Sequence, residues 1–379
     1  MAVDKRAEPL KRDSALQLGE PDGPREPARG PDGYVSQESS GRSLPRALAR
    51  LPVYQHPAIG PFVTGILVFG FFTMEAYHNG FLTVFGVASW LDQAAGISIV
   101  ALPYSLLMIA GQFDLSIGST LGAVSIAVAL MVTKLHLYSL IAVMLGLVLG
   151  ALIGLVNGVV VVKAKLPSFV ATIGTNFIVA GAALGVSALA ENSSQLGVVV
   201  GGIPRSMFAS VRNNFDVSIA WAVGEAIIVI WLMARTRSGN WIYATGGDEE
   251  LARRAGVPTQ RIKIWLFVAT AVGGAFLAAI QTIQFNTGNA TAGQEYLFQV
   301  PMVIVLGGIL LTGGYGAPIG VLIGSAIYGV VNFGIFYTGW DTVWAQTFLG
   351  GLMMFAVLTN NYLRRLALAV PGRSRKTSP

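Results

Sequence analysis

The sequence predicts an all-α polytopic integral membrane protein with about ten transmembrane helices and cytoplasmic N- and C-termini. Three observations carry that reading. The apolar residues are gathered into runs of about 20, the length at which a helix crosses the hydrocarbon core of a bilayer. Charged residues make up 12% of the chain, about half the share found in soluble domains. The basic residues are sorted by side. With the N-terminus inside, 22 of the 25 Lys and Arg fall in cytoplasmic segments and only Lys134, Arg205 and Arg212 fall outside, the bias that sets membrane orientation.

Residues 1–56 hold nine Lys/Arg, eight Asp/Glu, seven Pro and five Gly. Such a segment cannot bury enough apolar surface to offset its chain entropy, which predicts a disordered cytoplasmic tail. It has neither an early apolar core nor a small-residue cleavage site, so it does not read as a cleavable signal peptide. A transmembrane domain follows over 57–362. Its apolar runs place spans at 58–76, 93–111, 115–133, 138–162, 168–190, 217–234, 263–284, 297–312, 317–336 and 342–360. Region 77–92 has room for a short interfacial helix, and 191–216 is the longest external loop. Residues 363–379 form a basic cytoplasmic tail. The 46 glycines suit helices that pack closely in a membrane.

Composition excludes several chemistries. The chain has no cysteine, hence no disulfide, thiolate nucleophile or cysteine-ligated metal. Its three histidines, His56, His78 and His136, all sit near span ends. No metal site and no cofactor are expected. The net charge of +6 does not indicate nucleic acid, because the basic residues follow the membrane sides. Trp221, Trp231, Trp241, Trp340 and Trp344 lie near span ends and suit an aromatic belt at the lipid interface.

One polar loop interrupts the apolar pattern. Residues 235–263 carry nine charged residues and hold a short helix. Gly246 and Gly247 break what precedes it. Asp248, Glu249 and Glu250 crowd its first turn, where carboxylates suit the helix dipole. Glu249 to Arg253 and Glu250 to Arg254 are spaced i,i+4 in the favourable order. Gly256 stands where a left-handed cap belongs, with Pro258 as a stop. Leu251, Ala252 and Ala255 give a small apolar face. The pattern fits either a solvated connector held by its own ion pairs or a docking knob for a soluble partner.

The most informative membrane segment is Gly111-Gln-Phe-Asp-Leu-Ser-Ile-Gly-Ser119. Asp114 is an acid between two apolar runs, costly unless satisfied. It is placed to cap a helix starting at Leu115; alternatively Asp114 and Ser116 line a transport path at a helix break. Asn157, Thr172, Thr175 and Asn176 either line that path or bond helices together. Gln281, Gln284, Asn286 and Asn289 cluster near the outer end of the seventh span, where water can satisfy them. Glu225, in the middle of a span, either pairs in a helix interface or faces a wet cavity. Residues 109–118 and 311–320 also align with three identities in ten, a weak sign of an internal repeat.

The segment 111–119 resembles the Gly-Gly-Ile-Asp-Leu-Ser-Val-Gly-Ser signature of ribose-type permeases, the membrane subunits of ATP-binding-cassette (ABC) sugar importers. Gly154-Leu-Val-Asn-Gly158 with Lys165-Leu-Pro-Ser-Phe-Val-Ala-Thr-Ile-Gly-Thr175 resembles that family's next block. Residues 242–256 resemble its cytoplasmic coupling segment. Thr291-Ala-Gly293, Val305-Leu-Gly-Gly308 and Gly313-Gly314 resemble its late blocks. The similarity runs from about residue 60 to 362, in order and spacing. Three departures stand out: the long tail, Tyr296-Leu-Phe-Gln299 where the family commonly shows Tyr-Glu-Leu-Asp, and Pro301, which kinks or starts the next span.

The resemblance implies a permease subunit in the bacterial inner membrane, working by alternating access. An ABC ATPase subunit would dock on Gly246, Gly247, Asp248, Glu249, Glu250, Leu251, Ala252, Arg253, Arg254 and Gly256. A solute-binding protein would dock outside, and a second permease subunit, completing a homodimer, would enclose the path. The chain has no Gly-x-x-x-x-Gly-Lys-Ser/Thr loop, so ATP hydrolysis would belong to the partner and the chain is not itself expected to be an enzyme. Within the predicted spans the ionisable residues are nearly limited to Asp114 and Glu225, which suits a neutral sugar or polyol better than an ion. The same scarcity argues against a proton-coupled secondary transporter, the main rival; an ABC permease for a nucleoside or amino acid is the other.

Overall fold

A computed structural model describes residues 58–369. The tail predicted over 1–56 lies outside them, as do residues 370–379. In chain order the helices are α1 (Ile59–Ala76), α2 (Val84–Ile109), α3 (Ile117–Thr133), α4 (Ser139–Ala164), α5 (Ser168–Glu191), α6 (Gly202–Phe208), α7 (Val217–Arg235), α8 (Arg237–Gly247), α9 (Glu249–Arg254), α10 (Thr259–Gln284), α11 (Tyr296–Leu306), α12 (Pro318–Thr338) and α13 (Trp344–Ala369). Four short strands join them: β1 (Gln195–Gly197), β2 (Val211–Arg212), β3 (Phe215–Asp216) and β4 (Thr287–Asn289). A helix stands at each of the ten predicted span positions. Among the described residues seven helices are long and apolar enough to cross a membrane; α3, α11 and the stretch Trp344–Leu358 are shorter.

Helix α10 sits at the centre, packed on α4, α2 and α3, while α12 packs on α2, α1 and α11. Small residues allow this. Gly150, Gly154 and Gly158 recur every fourth residue on α4, and a Cβ at any of them would run into Ala271, Phe267 or Ile264 of α10. Backbones approach directly at such a stripe, which is how membrane helices gain van der Waals contact without a hydrophobic driving force.

Three predicted spans differ clearly in their bounds. Helix α2 starts at Val84, not 93, because Thr83 caps it: its Oγ1 accepts from the Gly86 amide at 3.2 Å. The interfacial helix expected in 77–92 reduces to a 3-10 turn at Tyr77–Asn79. Helix α11 covers Tyr296–Leu306 rather than 297–312. The chain after it is a glycine-rich loop in which Gly308, Gly313, Gly314 and Gly316 have positive φ, a conformation a continuing helix cannot use. At the far end α13 runs to Ala369, past the point where a tail was expected.

The loop 191–216 is more ordered than its sequence suggests. β1 pairs antiparallel with β4, Leu196 opposite Gly288. β2 and β3 form a hairpin whose turn residues Asn213 and Asn214 are left-handed, as such hairpins require. Trp221 is not an exposed belt residue. It stacks on Phe208, meets Phe276 edge-on and donates to the Met207 carbonyl at 2.9 Å, tying α6 to α7 and α10.

Candidate functional site

Four of the six candidate path residues form one buried node. Asp114, Ser116, Asn157 and Thr172 are all fully buried. Ser116 donates to Asp114 Oδ1 from its amide at 2.8 Å and its hydroxyl at 2.6 Å. Asn157 donates to Ser116 Oγ at 2.7 Å and lies 3.5 Å from Asp114 Oδ1. The amides of Phe113, Asp114 and Leu115 donate in turn to Ser168 Oγ, the Tyr104 hydroxyl and Thr172 Oγ1, each at 3.0 Å. Side chains of α2 and α5, together with Asp114 of the loop itself, therefore satisfy every amide from 113 to 116, where the chain between α2 and α3 has no helical partners. Non-helical backbone survives at membrane depth only with such partners or beside water.

The cap differs in detail from the expected one. Helix α3 starts at Ile117, and the carboxylate bonds the Ser116 amide just ahead of it rather than the first turn beyond Leu115. Thr175 and Asn176 lie further along α5, half-buried and outside the node. Glu225 on α7 keeps one carboxylate oxygen buried without a hydrogen-bond partner. Asp92, missed because its span was begun at 93, lies inside α2 and accepts from Ser218 of α7.

A cavity of about 660 Å³ opens toward the opposite end of the bundle from α8 and α9. Ser125, Gln281, Thr287, Asn289, Thr291 and Glu295 line it. Its wall is the non-helical stretch between α10 and α11, which runs along α3. Gly293 lies against Gly118, Ala290 against Gly122, and Gly288 against Ser125 and Ala129. Of these residues Gln281, Asn289, Gly118 and the Thr291-Ala-Gly293 block stood out in sequence. A polar, glycine-bearing stretch between two apolar runs, Thr287-Gly-Asn-Ala-Thr-Ala-Gly293, was the signal for the others.

At the other end, α8 and α9 form the candidate docking surface. Gly246 packs against the Ile109 carbonyl and Gly247 against Gly314. Tyr243 donates to the Gly316 carbonyl at 2.7 Å. Thus α8 rests on the two loops that carry the weak internal echo, 109–118 and 311–320. Asp248 caps α9, accepting from the Leu251 amide at 2.9 Å, and Gly256 closes it in the left-handed region.

The expected pair Glu249–Arg253 does not form. Glu249 reaches Lys263 of α10, whose ammonium is nearly buried, while Glu250 holds both Arg253 and Arg254. The apolar face is divided as well. Ala252 packs inward, whereas Leu251 is 62% exposed and Ala255 is exposed.

Similarity to known proteins agrees with this geometry. Residues 86–358 match the family described as branched-chain amino acid transport system / permease component. The chain is 29% identical to the ribose import permease protein of Escherichia coli K12 over 74% of its own length and 87% of the relative's. It is 27% identical to the fructose import permease protein of Rhizobium meliloti, over 83% of this chain and 88% of the relative. It is likewise 27% identical to the xylose/arabinose import permease protein of Sulfolobus acidocaldarius, over 83% and 86%. No solved structure matches. A multi-pass helical membrane protein matched over most of its length in this way belongs to the permease-component family of ABC import systems.

Proposed function

We propose that this chain is the permease subunit of an ABC importer that carries a neutral sugar or polyol. The carrying observation is the cavity whose polar lining is amide and hydroxyl groups beside Phe285 and Ala292, with Glu295 as its one carboxylate among the described residues. Such groups match a polyhydroxylated solute, whereas the paired charges of an amino acid would need compensating charges in the wall. The names of the three sugar import relatives support the same class.

In this reading the chain crosses the membrane ten times, with α8 and α9 in the cytoplasm. Two copies enclose the path, a solute-binding protein docks outside, and an ABC ATPase docks on Gly246–Gly256. The exposed Leu251 and Ala255 form the ATPase contact, and α8 passes movement to the loops at 109–116 and 307–317. The buried node at Asp114 braces the α2–α3 break and is not part of the path. Uptake of labelled D-ribose, D-fructose, D-xylose and L-leucine into cells carrying the full system tests this. Uptake of a sugar that stops on ATP depletion with the proton gradient held is expected. Uptake of leucine alone, or uptake driven by a pH gradient in proteoliposomes holding only this chain, overturns it.

A further inference from the structure

We infer that the cavity between α3, α10 and the 287–295 stretch is a solute-contact site, in which Asn289 and Gln281 hydrogen-bond a neutral polyhydroxylated molecule on its way through. The inference rests on the importer reading and names the site within it.

Three features of the wall support it. The stretch is non-helical yet lies beside the first three turns of α3, and irregular backbone at that depth is stable only buried in protein or beside water. One edge is buried: the Asn289 amide donates to Ser125 Oγ at 3.0 Å, the Ala290 amide to the Ser194 carbonyl at 2.9 Å, and β4 pairs with β1. The other edge faces the cavity, whose polar lining suits water.

The side chains there are held with one function spent and another left over. Asn289 Oδ1 accepts from the amide and hydroxyl of Thr291, both at 2.9 Å. Its Nδ2 has no acceptor among the described residues and remains to donate. Gln281 donates from Nε2 to the Tyr296 hydroxyl at 2.9 Å, which leaves Oε1 to accept. A fixed donor and a fixed acceptor in one polar cavity are what a vicinal diol needs, because each hydroxyl both donates and accepts. At about 660 Å³ the cavity falls within the range of small-molecule sites.

The cysteine-free chain makes the test direct. Asn289→Cys, Thr291→Cys and a control, Leu135→Cys in the exposed α3–α4 turn, are expressed with the rest of the system and treated from outside with a charged, membrane-impermeant methanethiosulfonate. Uptake of labelled D-ribose, D-fructose and D-xylose is then followed. All three thiols are expected to label, with uptake lost only for Asn289→Cys and Thr291→Cys. Gln281→Leu, unlabelled, is expected to lower uptake about tenfold at low sugar concentration with normal membrane abundance. If Asn289→Cys and Thr291→Cys stay unlabelled while Leu135→Cys reacts, the cavity is not wet and the inference fails. If they label and uptake persists, solute does not pass there. If the parent chain takes up none of the sugars, the importer reading fails instead, whatever the labelling shows.

Discussion

The Gly314 amide donates to the Ile109 carbonyl at 2.8 Å, joining two glycine-rich loops that are 205 residues apart in sequence. One loop opens α3 and the other α12. Gly246, at the end of α8, packs onto the same carbonyl. The charged loop thus touches the membrane bundle at a point where three backbones meet without intervening side chains.

That contact makes two neighbouring glycines unequal. A Cβ on Gly246 would overlap the Ile109 carbonyl, whereas one on Gly247 meets nothing within 4 Å. Gly246→Ala is expected to destabilise the protein by about 1–3 kcal/mol through overpacking and to abolish uptake. Gly247→Ala should keep the parent's thermal stability. Thermal unfolding in detergent and transport assays on both variants check this, and equal behaviour would remove α8 from the transmission of movement.

Asp114 tests brace against path. Asp114→Asn keeps the Oδ1 acceptor that Ser116 uses, so abundance and uptake should be close to normal. Asp114→Ala leaves the buried Ser116 amide without its partner, at a cost of about 1–3 kcal/mol, and should lower membrane abundance. Loss of uptake by Asp114→Asn at full abundance would show that the charge itself serves transport.

On α9 the exposed leucine and the ion-paired glutamate should part company. Leu251 is 62% exposed, so Leu251→Asp should leave the fold intact while ATPase co-purification and uptake are lost together, since a carboxylate buried in a partner's cleft goes unpaired. Glu249→Gln should keep the ATPase yet destabilise the α9–α10 junction. It removes the counter-charge of the nearly buried Lys263, at about 1–2 kcal/mol because Glu249 itself is half exposed. Pull-down and melting measurements on the two variants separate docking from folding.

Asp216 is expected to make the end of the bundle away from α8 and α9 pH-sensitive. Burial, then a hydrogen bond and charge repulsion with Asp92, push its carboxyl up to about 6. Gln284 donates to its Oδ2 at 2.9 Å, so the group ties the start of α7 to the end of α10 beside Asp92 of α2. A folded-state value above the ordinary one means the folded protein binds the proton more tightly. The contribution is therefore full below about pH 4 and is lost as pH rises through about 6. Melting temperature should fall over that interval in the parent and fall less in Asp216→Asn; identical curves would exclude this group as the cause.

Much of the bundle was legible because a bilayer imposes it. A run of about 20 apolar residues has few stable alternatives to a helix, so a helix stands at each run that was read, seven of them among the described residues long and apolar enough to span. The bounds that went wrong depended on other rules. Thr83 caps α2 early, and the glycines after Leu306 stop α11 short. The short helix after Asp248 and its cap at Gly256 were likewise readable, since those signals are local.

Pairing across the fold was not readable. Position alone gave Glu249 to Arg253, four residues on, yet it bonds Lys263 because α10 folds back beneath α9. Asp114, Asn157 and Thr172 were each visible as polar residues in apolar surroundings, but only packing of α3, α4 and α5 decided that they meet in one buried hydrogen-bonded node. The cavity at Asn289 was hidden for the same reason. The sequence by itself determined a multi-pass helical membrane protein with one charged loop, because burial of backbone polar groups in lipid allows little else. The tertiary structure decided which polar groups are spent on each other and which face water, because hydrogen bonding depends on distances between segments that sequence spacing does not set.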